Sequence, residues 1–167
     1  SNLLFNQMLG VPPEKLNVNG GAIAFSAQGD ITTDRIETSS LNNGDTGSSG
    51  AITLTSNNGN ITTGELLSPS QSNFGSSGDS SAITLTAPNG SITANSGISS
   101  FSLAALQGGS GTAGKGGAIT LTAKNDIRVE QDNINARSAS NFGTSGNGGA
   151  IALASSTGNV VTKDITS

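Results

Sequence analysis

The string DIRVEQD, residues 126–132, gathers four ionisable side chains: Asp126, Arg128, Glu130 and Asp132. Asp126, Arg128 and Glu130 alternate with Ile127 and Val129, so in an extended segment they share the solvent face. Paired carboxylates are the equipment of glycoside hydrolysis, which generally needs them roughly 5 to 9.5 Å apart. Carboxylate oxygens also bind Ca²⁺. Asp45, in LNNGDTGSS, is a second oxygen-ligand candidate. The repeated Ca²⁺-binding nonapeptide GGxGxDxUx is absent. The chain has no His and no Cys. That removes the commonest general base and metal ligand, all thiolate sites and all disulfides. No nucleotide loop, nucleophile elbow or zinc pattern appears. The expected catalytic, cofactor-binding and metal-ligating sets are therefore empty, with weak Ca²⁺ binding the one cofactor chemistry left.

The elements that must position these residues are repeats. GGAIAFSAQGDI (20–31), SGAITLTSNNGNI (49–61), SSAITLTAPNGSI (80–92), GGAITLTAKNDI (116–127) and GGAIALASSTGNV (148–160) are five versions of one unit. Their anchors Ile23, Ile52, Ile83, Ile119 and Ile151 lie 29, 31, 36 and 32 residues apart, a period that marks a solenoid, a propeller or an array. Within AITLTA, Ile52 and Leu54 face one side and Thr53 and Thr55 the other, the period of a strand. A second strand is anchored by Ile31, Ile61, Ile92, Ile127 and Val160, and a third by Ile36, Leu66, Ile98, Ile134 and Ile165. Three short strands per unit predict a three-sided parallel β-helix. A propeller needs antiparallel hairpins, and no hairpin turn recurs at one place in all copies.

Composition agrees with a thin core. Aromatic residues are 3% and charged residues 11% of 167, with a net charge of −4. Gly, Ser, Thr and Asn make up just over half the chain. One aliphatic layer per coil is affordable, each buried side chain contributing roughly 1.5 to 3 kcal/mol. The inward columns are expected to be the five anchor isoleucines beside Phe25, Leu54, Leu85, Leu121 and Leu153. Outward, Thr53, Thr84 and Thr120 form a flat strip, read as β-propensity on a solvated face or as a carbohydrate-facing surface. The seven Lys and Arg are scattered, which argues against nucleic acid, and no apolar run is long enough to span a membrane.

A turn ladder is expected where Gly29, Gly59, Gly90, Asn125 and Gly158 precede the second strand, all residues that tolerate positive φ. The next column, Asp30, Asn60, Ser91, Asp126 and Asn159, offers side chains that hydrogen-bond backbone groups. Asp30 and Asp126 would share this column three coils, about 14 Å, apart. A Glu130–Lys163 ion pair is expected between neighbouring coils.

Gly- and Ser-rich stretches (41–50, 68–81, 138–149) read as solvated loops after the third strand, with Phe74 and Phe142 of the two SNFG copies folding back as plugs. The longest, FSLAALQGGSGTAGKGG (101–117), reads as a short helical turn on the side of the rod or a contact patch. Residues 1–19 do not match the repeat. Leu3, Leu4, Phe5, Met8, Leu9 and Val11 form an apolar cluster read as an N-terminal cap or docking segment, the self-association candidate. Nothing equivalent covers the other end. The division is therefore 1–19 cap or docking segment and 20–167 solenoid of about five coils, with head-to-tail stacking open as a route to a filament.

The units GGAITLTAKNDI, SGAITLTSNNGNITT and GGAIAFSAQGDITT, with SNFGTSGNGG between, resemble the repeats of filamentous haemagglutinin-like exoproteins, most closely the large cyanobacterial members. The resemblance covers residues 20–167. It implies a right-handed parallel β-helix, export by two-partner secretion, and work as an adhesin, surface fibre or toxin carrier, with no catalytic residues. The reading is an extracellular or cell-surface structural and adhesive solenoid, and not an enzyme. Its expected partners are further coils of a longer chain or other copies of itself, together with surface glycans or cells. A filament subunit is the second reading, and a polysaccharide-active β-helix enzyme the remote third.

Overall fold

The computed structural model describes residues 19–167. The apolar cluster from Leu3 to Val11 lies outside them. The described chain is all-β and forms a parallel β-solenoid. Each turn carries four strands, not three, and they stack into four strips.

Strip A holds the five-residue strands β1 (Ile23–Ala27), β5 (Ile52–Ser56), β9 (Ile83–Ala87), β13 (Ile119–Ala123) and β17 (Ile151–Ser155). Strip B holds β2 (Ile31–Thr32), β6 (Ile61–Thr63), β10 (Ile92–Ala94), β14 (Ile127–Val129) and β18 (Val160–Thr162). Strip C holds β3 (Ile36–Glu37), β7 (Leu66–Leu67), β11 (Ile98–Ser99), β15 (Ile134–Asn135) and β19 (Ile165–Thr166). Strip D has four strands, β4 (Ser40–Asn42), β8 (Ser70–Ser72), β12 (Ser102–Ala104) and β16 (Ser138–Ser140). The stack is thus four full turns and a fifth that stops after strip C, slightly short of the five coils expected from the anchor count.

All pairing is parallel, and the anchors fall in register as their spacing requires. Ile23 lies beside Ile52 and Ile83 beside Ile119 in strip A. Ile61 lies beside Ile92 in strip B, and Leu66 beside Ile98 in strip C. Period-two alternation puts Ile and Leu inside, where Ile52, Leu54, Ile61, Leu66, Ile83 and Leu85 are fully buried. A one-residue slip would turn every one of them to solvent, so the register is strongly specified.

Strip D comes from stretches that read as solvated loops, and it encloses a second, polar interior. Ser49, Ser68, Ser70, Ser77, Ser100 and Ser102 are buried. Ser70 donates to the Gly47 carbonyl at 2.7 Å, Ser102 to Gly78 at 2.9 Å and Ser138 to Gly114 at 2.6 Å. Ser72 and Ser140 do the same to the Gly44 and Gly111 carbonyls, so serines at two positions tie the fourth strand to the loop of the preceding turn. In the strip D sequences SLN, SQS, SLA and SAS a serine takes the first position of every strand and the third position of two, where strip A has apolar side chains.

Residues 101–117 contain no helix. They supply β12, and the extra residues of this long turn leave the coil after it, where Ala105 (φ 49°), Gly108 (φ 141°) and Gly109 (φ 78°) adopt positive φ. Phe74 and Phe142 do not plug a corner, for their exposures are 51% and 58%.

Candidate interaction surfaces

The turn ladder stacks as its sequence column indicates, but for a different reason. None of Gly29, Gly59, Gly90, Asn125 and Gly158 has positive φ. The constraint is the neighbouring turn: a Cβ on Gly90 would run into the Gly59 carbonyl, and one on Gly158 into the backbone of Asn125 and Asp126. Gly29, on the first described turn, has nothing within 4 Å of the same point. Close approach, not backbone strain, selects glycine here.

The adjoining polar column forms hydrogen bonds between turns rather than within one. Asp30 Oδ1 accepts the Asn60 N–H at 2.7 Å, Asn60 Oδ1 the Ser91 N–H at 2.9 Å, and Asp126 Oδ1 the Asn159 N–H at 2.8 Å. Charged and neutral members are interleaved, so no two carboxylates meet at the strand spacing. A second corner repeats the device: Asp45 Oδ1 accepts the Ser76 N–H at 2.8 Å and Asp79 Oδ1 the Lys115 N–H at 2.7 Å. Asp45 thus holds one turn to the next.

The acidic cluster around Asp126 is organised by one cation. Arg128 reaches Asp126 at 3.1 Å and Glu130 at 2.9 Å. The Asn159 backbone N–H, and after it Arg128, hold the Asp126 carboxyl below its usual range. Arg128 is raised in turn, first by Asp126 and then by Glu130. The expected Glu130–Lys163 pair does not form. The two residues occupy adjacent turns, with Lys163 N–H bonding the Val129 carbonyl at 3.1 Å, but Glu130 turns to Arg128 on its own strand side, two residues away. The Asp126 carboxylate, favoured in its ionised form by these partners, is a poor proton donor. Among the described residues, no three acidic side chains converge as a metal site would require. At the other end Arg35 binds Glu37 at 2.7 Å and Glu65 at 2.9 Å, a solvated pair across two turns worth little to stability.

Strip A presents its Thr columns outward, Thr53 beside Thr84 and Thr84 beside Thr120. On the last turn the inward positions are open: Ile151 and Leu153 are partly covered, while Val160 and Ile165 are 44% and 52% exposed. Repeat spacing had pointed to the ladder columns. The serine interior left only the S-x-S alternation as a signal, and Gly and Ser around it masked that.

The class this defines is a parallel β-solenoid, a repeat protein whose contacts are spread along its strips. Searches found no family model, no curated protein and no solved structure that matches the chain. Among the described residues, no helix is long and apolar enough to cross a membrane.

Proposed function

We propose that this chain is part of an extracellular structural and adhesive β-solenoid of the filamentous haemagglutinin type. One observation carries the reading. Twenty-nine to thirty-six residues at a time, the chain returns to the same register on four strips, and its polar side chains are spent on holding turn to turn. The side chains spent in this way are the Asp and Asn of the corners, and the outward faces of the strips are left as surface, so such a molecule is a spacer whose use lies in length and in what its faces touch. The reading is non-enzymatic. The test is to image the purified chain by electron microscopy and to measure its binding to cells and immobilised glycans. Short rods that bind a surface saturably support the proposal. Rods that bind neither cells nor glycans overturn the adhesive half of it.

The second reading is a filament subunit, and the surface it uses is the edge of β17, β18 and β19, where Val160 and Ile165 face whichever coil follows, of this chain or of another copy. Another coil laid on that edge would cover the side chains and pair the backbone. If that coil belongs to another copy, the contact is head-to-tail and does not close, which gives a filament. Fibres that lengthen with concentration, and that shorten on Ile165→Asp or on deletion of residues 1–19, are the expected result. Rods of one length at all concentrations overturn it.

A further inference from the structure

The outward side of strip A differs from every other face of the stack. Its three central strands read Thr-Leu-Thr in the same register, Thr53 beside Thr84 beside Thr120 and Thr55 beside Thr86 beside Thr122. In β1 and β17 the same two positions hold only Ala or Ser. No outward side chain of the strip is charged and none is larger than threonine. Strip B, by contrast, carries Arg128 in line with Thr93, and strip C carries Glu37 in line with Leu67.

A second observation concerns what these threonines bond. None of the six hydroxyls of the array has a hydrogen-bond partner among the described residues. The serines behind strip D, by contrast, are engaged, with Ser70, Ser102 and Ser138 each holding a glycine carbonyl, whereas the hydroxyls of Thr33 and Thr63 at strip B are unpartnered like those of the array. The array's donors and acceptors are left to the solvent side.

The geometry is a lattice in two directions. Along the stack, hydroxyls recur at the strand spacing of about 4.8 Å, and along each strand at about 6.7 Å, two residues on. The β-branched side chain is stiff at χ1, and neighbours in the column restrict it further. Methyl and hydroxyl groups are thereby held at regular points on an uncharged surface. Water ordered on such a surface takes up both repeats at once. Those repeats fall close to the spacings between oxygen rows in hexagonal ice. A crystal face has many weak sites at fixed separations, so a rigid array that needs no rearrangement meets it with little ordering cost.

We propose that the threonine array of strip A binds ice, the hydroxyls entering the outer water layer and the methyl groups lying in its hollows. This is an activity separate from adhesion to cells or glycans, and it uses only the outward face of β5, β9 and β13.

The experiment grows a single ice crystal slowly in a solution of the full 167-residue chain, and measures crystal shape, the gap between freezing and melting points, and partition of protein into the ice. The unsubstituted chain is expected to facet the crystal, open a small gap and enter the ice. Thr84→Lys puts a long charged side chain at the centre of the array and is expected to lower partition about tenfold or more. Thr93→Lys, outward on strip B, is expected to leave it unchanged. Thr84→Val keeps the shape of the side chain and serves if the lysine variant loses its β circular dichroism; it too is expected to lower partition. Rounded crystals with protein excluded from the ice overturn the proposal, as does an equal loss in the Thr93→Lys variant. Adsorption to crystalline polysaccharide without any effect on ice also overturns it.

Discussion

At the scale of single residues, most side chains that looked chemical turn out to be joints. Asp30, Asn60 and Asp126 each hold the backbone of the following turn through one oxygen. Asp126 binds its proton less readily in the folded chain than in the unfolded one. Its contribution to stability is therefore present above the unfolded carboxylate value of about 3.9 and is lost as pH falls through the lower folded value. A titration of the Asp126 carboxyl by NMR should show a midpoint below the ordinary range, with the Asn159 amide shifting at the same pH. Asp126→Asn should remove that acid dependence yet keep an oxygen for Asn159, as Asn60 does for Ser91. The glycines of the ladder give a second prediction. Gly90→Ala forces a methyl into the Gly59 carbonyl and should cost about 1 to 3 kcal/mol in urea unfolding, while Gly29→Ala, with open space, should stay within about 0.5 kcal/mol. An equal effect at the two positions would mean that the glycines serve the turn itself and not the contact between turns.

At the scale of elements, the turn has two interiors with different chemistry. Strips A, B and C enclose aliphatic side chains at full burial, and the space behind strip D is closed by hydroxyl-to-carbonyl bonds. The two should answer differently to truncation. Leu85→Ala, fully buried on the central strand of strip A, should cost about 2 to 5 kcal/mol. Ser102→Ala should cost about 1 to 3 kcal/mol, because it takes the buried hydroxyl away from the half-buried Gly78 carbonyl and from Ser77 instead of opening a large cavity. Chemical denaturation of the two variants measures both. This division also explains how a chain that is only 32% hydrophobic folds. Part of its interior is filled by serine, and the strip D serines find their partners in the loop of the preceding turn.

For the molecule as a whole, each turn touches only the turns beside it, so stability is close to a sum of local terms. The middle of the stack has neighbours on both sides. The last turn has one, and its Val160 and Ile165 remain exposed. Amide exchange should therefore be slowest in β9 and its neighbours in strip A and fastest in β17, β18 and β19. A uniform profile would mean that the stack unfolds in one step, or that another coil covers the last turn in solution. The same one-dimensional order makes the rod rigid, which the adhesive and filament proposals both need and which the ice proposal needs most.

The sequence by itself determined the solenoid, the three aliphatic columns and the register of the ladder. Those follow from period-two alternation and from anchors about thirty residues apart, and any other pairing would expose Ile52, Leu85 or Ile127. Tertiary structure alone decided the rest. The fourth strand, the buried serines and the absence of positive φ at the ladder glycines depend on which backbone lies against which. A serine reads the same whether it faces water or a carbonyl across the coil. A glycine reads the same whether it permits a turn or a close approach. Glu130 likewise had two candidate cations in the sequence, Arg128 and Lys163, and the side chain pairs with the one on its own strand side. Alternation records which way a side chain points, and the partner it finds there is set only when the turns are stacked.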